Sequence, residues 1–415
     1  MEYFAYRGGF LHAENVSVID ISEQVGTPFY VYSASAIEKS YRDLERELKA
    51  VNHSISYAVK ANSNIAILRL IAQLGSGMDV VSSGEYRRAI AAGVPGEKIV
   101  FSGVGKTKEE MLIAATGGVK QFNVESEEEL FALNAVARSI EKVVPVSIRV
   151  NPNVNADTHE KISTGKSDNK FGIPITEVAQ LVSKVIKCSN IKFVGLAVHI
   201  GSQLTDLSPY KKSFEKIADL VKSLQSAGHK VTRLDLGGGL GVDYKIANIN
   251  FVDYGKTISD VFKGYDYSLS IEPGRSLVAN SGILLTKVIY LKKTKSKNFI
   301  IVDGAMNDFI RPTLYNAHHN VEPVNLSKSG LEKFDIVGPI CETGDYFAKD
   351  ALLSNPTEGQ LLAIFSTGAY GSVMSSMYNS RVPANEILVH NGKVHKLKEQ
   401  ERIEDQINKE ILPKF

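Results

Sequence analysis

The chain has 415 residues, 43% hydrophobic and 23% charged, with a formal net charge of +2. This is ordinary for a globular enzyme large enough for two cored domains, and with both signs interspersed neither nucleic acid nor a membrane is expected as partner. The two cysteines, Cys188 and Cys341, exclude a disulfide framework, no apolar run approaches a membrane span, and Met1–Gly9 has no basic segment leading into an apolar one. A reducing cytoplasm is the expected location.

Phe29-Tyr-Val-Tyr-Ser33 reads as a first strand. A regular alternation then begins. The run Ile55-Ser-Tyr-Ala-Val-Lys60 leads into a helix predicted from Ile65 to Leu74, which puts the Lys60 amine at the carboxyl end of a buried strand. Further β-branched runs follow at Met78–Ser82, Ile99–Gly103, Gln121–Val124, Val146–Val150, Val194–Gly201, Arg233–Gly237 and Tyr267–Glu272. Amphipathic stretches separate them. One starts at Ser126, a capping residue with three glutamates in the first turn behind it. Eight strands alternating with helices over about 240 residues match a (β/α)8 TIM-type barrel, with an open doubly wound sheet as runner-up.

After about Asn280 the rhythm changes to strands separated by Gly, Pro and Asn: Gly282–Leu291, Asn298–Val302, Phe334–Val337, Gln360–Phe365 and Glu386–His390. The expected organisation is a barrel over 34–278 and a mostly β domain built from 1–33 and 279–415, with a charged, exposed helix over Gln400–Phe415.

The strand ends carry the chemistry. A lysine enclosed at such a position loses its proton more readily and can condense with a carbonyl, although most lysines at strand ends are simply solvated. Asp79 is either a partner for that amine or a turn residue; His199, in His-Ile-Gly-Ser202, is either a core imidazole or a site group. Gly237-Gly-Gly239 follows the seventh strand and Glu272-Pro-Gly274-Arg275 the eighth. Each alone suits a plain turn, but phosphate sites of such barrels form at strands seven and eight. An amine, an acid for a ring nitrogen, a flat imidazole and a phosphate cradle together describe a pyridoxal 5'-phosphate site.

With these motifs in order, the sequence resembles the diaminopimelate decarboxylase family. These are fold-type III pyridoxal-phosphate enzymes with an alanine-racemase-like barrel. The resemblance runs from Gly26-Thr-Pro-Phe-Tyr-Val-Tyr32 to Val382-Pro-Ala-Asn-Glu-Ile-Leu-Val389. It implies that Lys60 carries the cofactor, His199 stacks on its ring, Glu272 faces the ring nitrogen, and Ser202, Gly237, Gly238, Gly239, Gly274, Arg275 and Tyr378 lie at the phosphate, with Asp79 also near the cofactor. It further implies that Arg275, Arg311, Tyr315, Glu342 and Tyr378 recognise the substrate. Cys341 and Glu342 would cross a homodimer interface into a shared site, and His159–Gly172 would be the loop over its mouth. The implied reaction is decarboxylation of meso-2,6-diaminopimelate at its D-centre to L-lysine and carbon dioxide, with no metal. Relatives acting on ornithine have Cys-Asp where this chain has Cys341-Glu342, which favours diaminopimelate over ornithine, arginine or carboxynorspermidine. Either Cys341 or Lys60 is left as the group that reprotonates Cα.

Overall fold

The computed structural model describes residues 3–155, 165, 169–326, 330–354 and 356–414. Of the expected mouth loop, residues 159–164 and 166–168 lie outside the described residues. Two compact units are present. The first comprises Glu38–Val242 and Asn248–Leu277; the second comprises Met1–Ile37, Asp243–Ala247 and Val278–Phe415.

The first unit is a closed parallel barrel. Its strands are β1 (His53–Ala58), β2 (Gly77–Val80), β3 (Ile99–Phe101), β4 (Gln121–Val124), β5 (Val144–Asn151), β6 (Ile191–Val198), β7 (Arg233–Asp235) and β8 (Ser268–Ile271). Each pairs with its neighbours in sequence, and β8 pairs back to β1. That closure rules out the open doubly wound sheet. Six strands stop one to three residues short of their predicted ends, β4 ends at Val124 as predicted, and β5 runs one residue further, to Asn151. Beyond the Ala58–Asp79 pair the chain leaves the ladder, and Lys60 falls in a single 3-10 turn, Val59–Ala61, rather than on the strand. Asp79 is the third residue of β2 and so lies within the strand rather than in a turn.

Helices follow β1 to β7 at Ile65–Gln73, Ser83–Ala91, Lys108–Thr116, Glu127–Ser139, Val178–Val185, Ser208–Ser226 and Phe251–Phe262. Side-chain caps fix several starting points. Ser82 accepts from the Glu85 N–H, Ser126 from the Glu129 N–H, and Thr107 and Glu110 form a reciprocal capping box. Substituting such a cap by Ala costs about 1 kcal/mol. The inner faces bury the core: Leu130 and Leu133, for example, are fully enclosed. Each such side chain contributes roughly 1.5–3 kcal/mol.

The barrel lumen is unusually polar, where branched apolar residues are the norm. Ser56 and Ser270 approach at 3.4 Å, and Gln121 donates to Asn123 at 2.9 Å. Beside it, the buried Lys106 ammonium donates to the Gly103 and Asn123 carbonyls at 2.7 and 2.8 Å and to Glu129 at 2.6 Å.

The second unit is mostly β. Its main sheet runs in the order Tyr346–Ser354, Leu331–Val337, Asn298–Val302, Gly282–Lys293, Phe29–Ser33, Asn385–His390, Lys393–Lys396. Phe29–Ser33 is buried at every residue because it lies between two strands of this sheet. Phe4–Ser17 contributes a separate three-stranded antiparallel sheet. The tail departs from expectation: among its described residues only Ile403–Ile407 is helical. Ile411 and Leu412 are about 90% exposed, so no apolar face is buried to hold a longer helix, and short unpacked helices are marginal in water.

Candidate active site

A cavity of about 370 Å³ lies at the carboxyl ends of the barrel strands. Of the predicted residues, Lys60, Asp79, His199 and Glu272 line it together. The local folding explains the convergence. The Ala58 N–H donates to the Pro273 carbonyl at 3.0 Å, tying the Lys60 turn to the Glu272-Pro-Gly-Arg275 turn. Gly274 permits this approach, since a Cβ there would stand 3.0 Å from Ala61 Cβ and 3.1 Å from Ala58 Cβ. Lys60 itself is exposed between buried neighbours, so its amine is not enclosed in the way the sequence suggests.

The two acids are buried. Burial holds Asp79 up at about 7, against the opposing pull of the Lys60 charge and a hydrogen bond from Ser102. Glu272 is pushed well above the carboxylate range, first by burial, then by the charges of Asp235 and Asp79. One oxygen of each, Asp79 Oδ1 and Glu272 Oε1, has no hydrogen-bond partner. His199 is held well below its ordinary value by burial and by the Lys60 and Arg149 cations, so its ring is neutral. Its Nδ1 accepts from the Gly238 N–H at 3.2 Å, which leaves the ring proton on Nε2.

The glycine run turns tightly beneath. Gly237 and Gly239 have φ of +67° and +96°. A Cβ on Gly238 would meet the Glu272 carbonyl at 2.0 Å. Arg275 donates to Ser202 at 3.1 Å, which brings two predicted phosphate residues together.

Several site residues escaped the sequence reading: Ser102, Asn123, Arg149 and Asp235 also line the cavity, together with Phe171 of the expected mouth loop. Arg149 pairs with Glu125 at 2.7 Å and lies 4.9 Å from the Phe171 ring centroid, while Glu125 also accepts from the Gly172 N–H at 3.0 Å. The available signal was a polar residue inside each β-branched run: Asn123 in Gln-Phe-Asn-Val, Arg149 in Ser-Ile-Arg-Val, Asp235 in Leu-Asp-Leu.

The second unit holds the remaining predicted residues. Arg311 and Tyr315 share the short helix Arg311–Tyr315. Arg311 is buried, contacts His319 Nε2 at 2.8 Å, and lies 4.8 Å from the ring centroid of Tyr244, a further residue the sequence reading missed. Asp345 accepts from the Met306 and Ile340 N–H groups at 2.7 Å each, shaping the turn that presents Cys341 and Glu342. Both are exposed, and the Tyr378 hydroxyl donates to Glu342. That hydrogen bond, with the Glu342 charge, raises the phenol above its usual range.

Residues 34–279 match a family model described as pyridoxal-dependent decarboxylase, pyridoxal binding domain. The chain is 47% identical over 406 residues to a diaminopimelate decarboxylase of Pseudomonas aeruginosa, covering 98% of each chain. It is similar to the crystal structure of diaminopimelate decarboxylase from M. jannaschii in complex with L-lysine, with a TM-score of 0.95 at 36% identity, covering 99% of this chain and 98% of that one. It is likewise similar to the Helicobacter pylori diaminopimelate decarboxylase complexed with L-lysine, with a TM-score of 0.91 at 40% identity, covering 94% and 98%.

The site fits pyridoxal phosphate on its own evidence. Glu272 offers a buried oxygen lacking a partner, as the acceptor for a ring N–H must. A neutral, flat imidazole stands in the same cavity as the lysine. Ser202 and Arg275 supply a hydroxyl and a cation suited to a phosphate. With that chemistry placed in one barrel mouth and relatives aligned from end to end, the chain belongs to the diaminopimelate decarboxylase family of pyridoxal-dependent decarboxylases.

Proposed function

We propose that this chain decarboxylates meso-2,6-diaminopimelate at its D-configured centre, releasing carbon dioxide and L-lysine as the last step of lysine biosynthesis. The observation that carries the reading is Glu272, buried with an unpartnered oxygen in the cavity that also holds Lys60. Curated relatives at 41–47% identity over nearly the whole chain bear the same family name, and two similar crystal structures contain L-lysine, the product of this reaction.

When bound, pyridoxal phosphate supplies the electron sink for the pair left on Cα as carbon dioxide departs. In this reading Lys60 is the amine that holds it. Ser202, Gly237, Gly238, Gly239, Gly274, Arg275 and Tyr378 hold its phosphate, and Asp79 orders the lysine side. Glu272 keeps a proton at the ring nitrogen, and the uncharged His199 ring lies against the cofactor face without competing for that proton. Arg275, Arg311, Tyr315 and Tyr378 bind substrate carboxylates, for which guanidinium is geometrically suited. Glu342 binds the distal ammonium, and Cys341 or Lys60 returns a proton to Cα.

The proposal includes a cytoplasmic homodimer in which Cys341 and Glu342 serve the partner's barrel, so that the domain of 1–33 and 279–415 completes the site of a barrel spanning 34–278. The free state of both cysteines fits a reducing compartment, and among the described residues no helix is long and apolar enough to cross a membrane.

The test is carbon dioxide release from meso-diaminopimelate by protein reconstituted with pyridoxal phosphate, with ornithine and arginine in parallel. Equimolar lysine and carbon dioxide from diaminopimelate alone is the expected result. Release only from ornithine or arginine would move the substrate to another basic amino acid.

A further inference from the structure

In the lining of the cavity a chain of buried polar groups lies between its two acids. Asn123 Nδ2 donates to Ser102 Oγ at 3.1 Å and to Asp235 Oδ2 at 3.0 Å. Ser102 lies beside the Asp79 carboxyl in the same cavity lining. The other oxygen of Asp235 accepts from the Gly237 N–H at 3.0 Å. Asp235 is opposite Ser270 in the β7–β8 ladder, and Glu272 lies two residues further on, hence on the same face. Both carboxyls line the same cavity, and the Glu272 N–H donates to the Gly237 carbonyl at 2.8 Å. Asp235 therefore lies beside the acid expected at the ring nitrogen and is hydrogen-bonded to the glycine turn expected at the phosphate.

We propose that Asp235 is a positioning residue that holds Glu272 as the proton-bearing partner of the cofactor ring nitrogen and locks that acid to the glycine turn. Both Asp235 oxygens already accept from N–H donors, and an oxygen carrying a proton is the poorer acceptor. Of the two acids, Glu272 is therefore the better placed to carry a proton. Asp235, Asp79, Lys60 and Lys120 all act on Glu272, and a negative Asp235 beside it favours a cation at the ring nitrogen. The raised Glu272 carboxyl agrees with this arrangement. Asp235 acts through Glu272 and touches no reacting atom. The proposal rests on the pyridoxal-phosphate reading above.

Asp235→Asn is the test. The new amide keeps an acceptor for the Gly237 N–H. It can meet Asn123 by an amide flip, because Gln121 and Ser102 can each exchange donor and acceptor roles. Wild type and variant are loaded with pyridoxal phosphate carrying nitrogen-15 in the ring, and the ring-nitrogen resonance is recorded beside kcat and KM. Wild type should show a protonated nitrogen. The variant should bind cofactor, shift the ring-nitrogen resonance, and lose kcat by about tenfold or more with KM within about twofold. Should Asp235→Asn fail to fold, Asn123→Ala removes one donor to Asp235 and should move the resonance the same way by less. An unchanged resonance in either folded variant overturns the proposal while leaving the decarboxylase reading intact. A wild type that takes up no cofactor and releases no carbon dioxide overturns both.

Discussion

Lys60 and Glu272 divide the chemistry between them, and their variants should fail differently. Lys60→Ala should lose activity by at least about 10³-fold and lose the visible absorption of lysine-held cofactor; near-normal turnover would refute its role. Glu272→Gln should retain cofactor but lose kcat on the order of 10²-fold, and an unchanged kcat would sink the assignment. Asp79 offers a pH signature. Burial holds its carboxyl at about 7, so between about pH 4 and 7 the folded chain keeps a proton that the unfolded chain has shed. Its contribution is then complete below about pH 4 and declines as pH rises to about 7. The thermal midpoint of cofactor-free Asp79→Asn should accordingly vary less than wild type over that window, and parallel curves would show that Asp79 is not the source. His199 works in the opposite sense, because a neutral buried imidazole favours unfolding as acid protonates it in the unfolded chain.

At the scale of elements, the barrel was legible because its strands are short β-branched runs with capped helices close behind. All eight strands lie where those runs fall. Their ends were not legible. Where β1 runs out of a partner, the chain tightens into the turn that carries Lys60, and pairing rather than local preference decides that point. Asn123, Arg149 and Asp235 were missed because one polar residue in an apolar run reads as solvent-facing until the barrel closes. Tyr346–Ser354 was missed as a strand because Lys349, Asp350 and an otherwise broken alternation mask it. The glycine turn makes a sharp prediction. Gly238→Ala drives a Cβ against the Glu272 carbonyl, so the turn must shift. Urea denaturation should show a loss of about 1–3 kcal/mol, with weakened cofactor binding alongside. Full stability with normal cofactor affinity would mean that the turn yields freely.

For the whole molecule the decisive question is whether Glu342 serves its own barrel or the partner's. Mixed dimers of Lys60→Ala with Glu342→Gln should recover about a quarter of wild-type activity, since half of the dimers then carry one intact site of two. No recovery would place both residues within one chain. The organisation into a barrel and a β-rich unit was readable from the change in rhythm near Asn280. The packing of Asp243–Ala247 with the β-rich unit was not, because Tyr244 finds Arg311 and His319 only in three dimensions. The buried Lys106 bears on how an aldehyde cofactor selects one lysine from so many. Its three N–H groups are committed to two carbonyls and Glu129, so it has no lone pair to offer, although Gly103 to Gly105 beside it line the cavity. Lys120 is enclosed at the opposite end of β4 and donates to Ser54. Lys60 by contrast lines the cavity itself, and borohydride trapping followed by peptide mapping should find the pyridoxyl tag on that lysine and on neither of the other two.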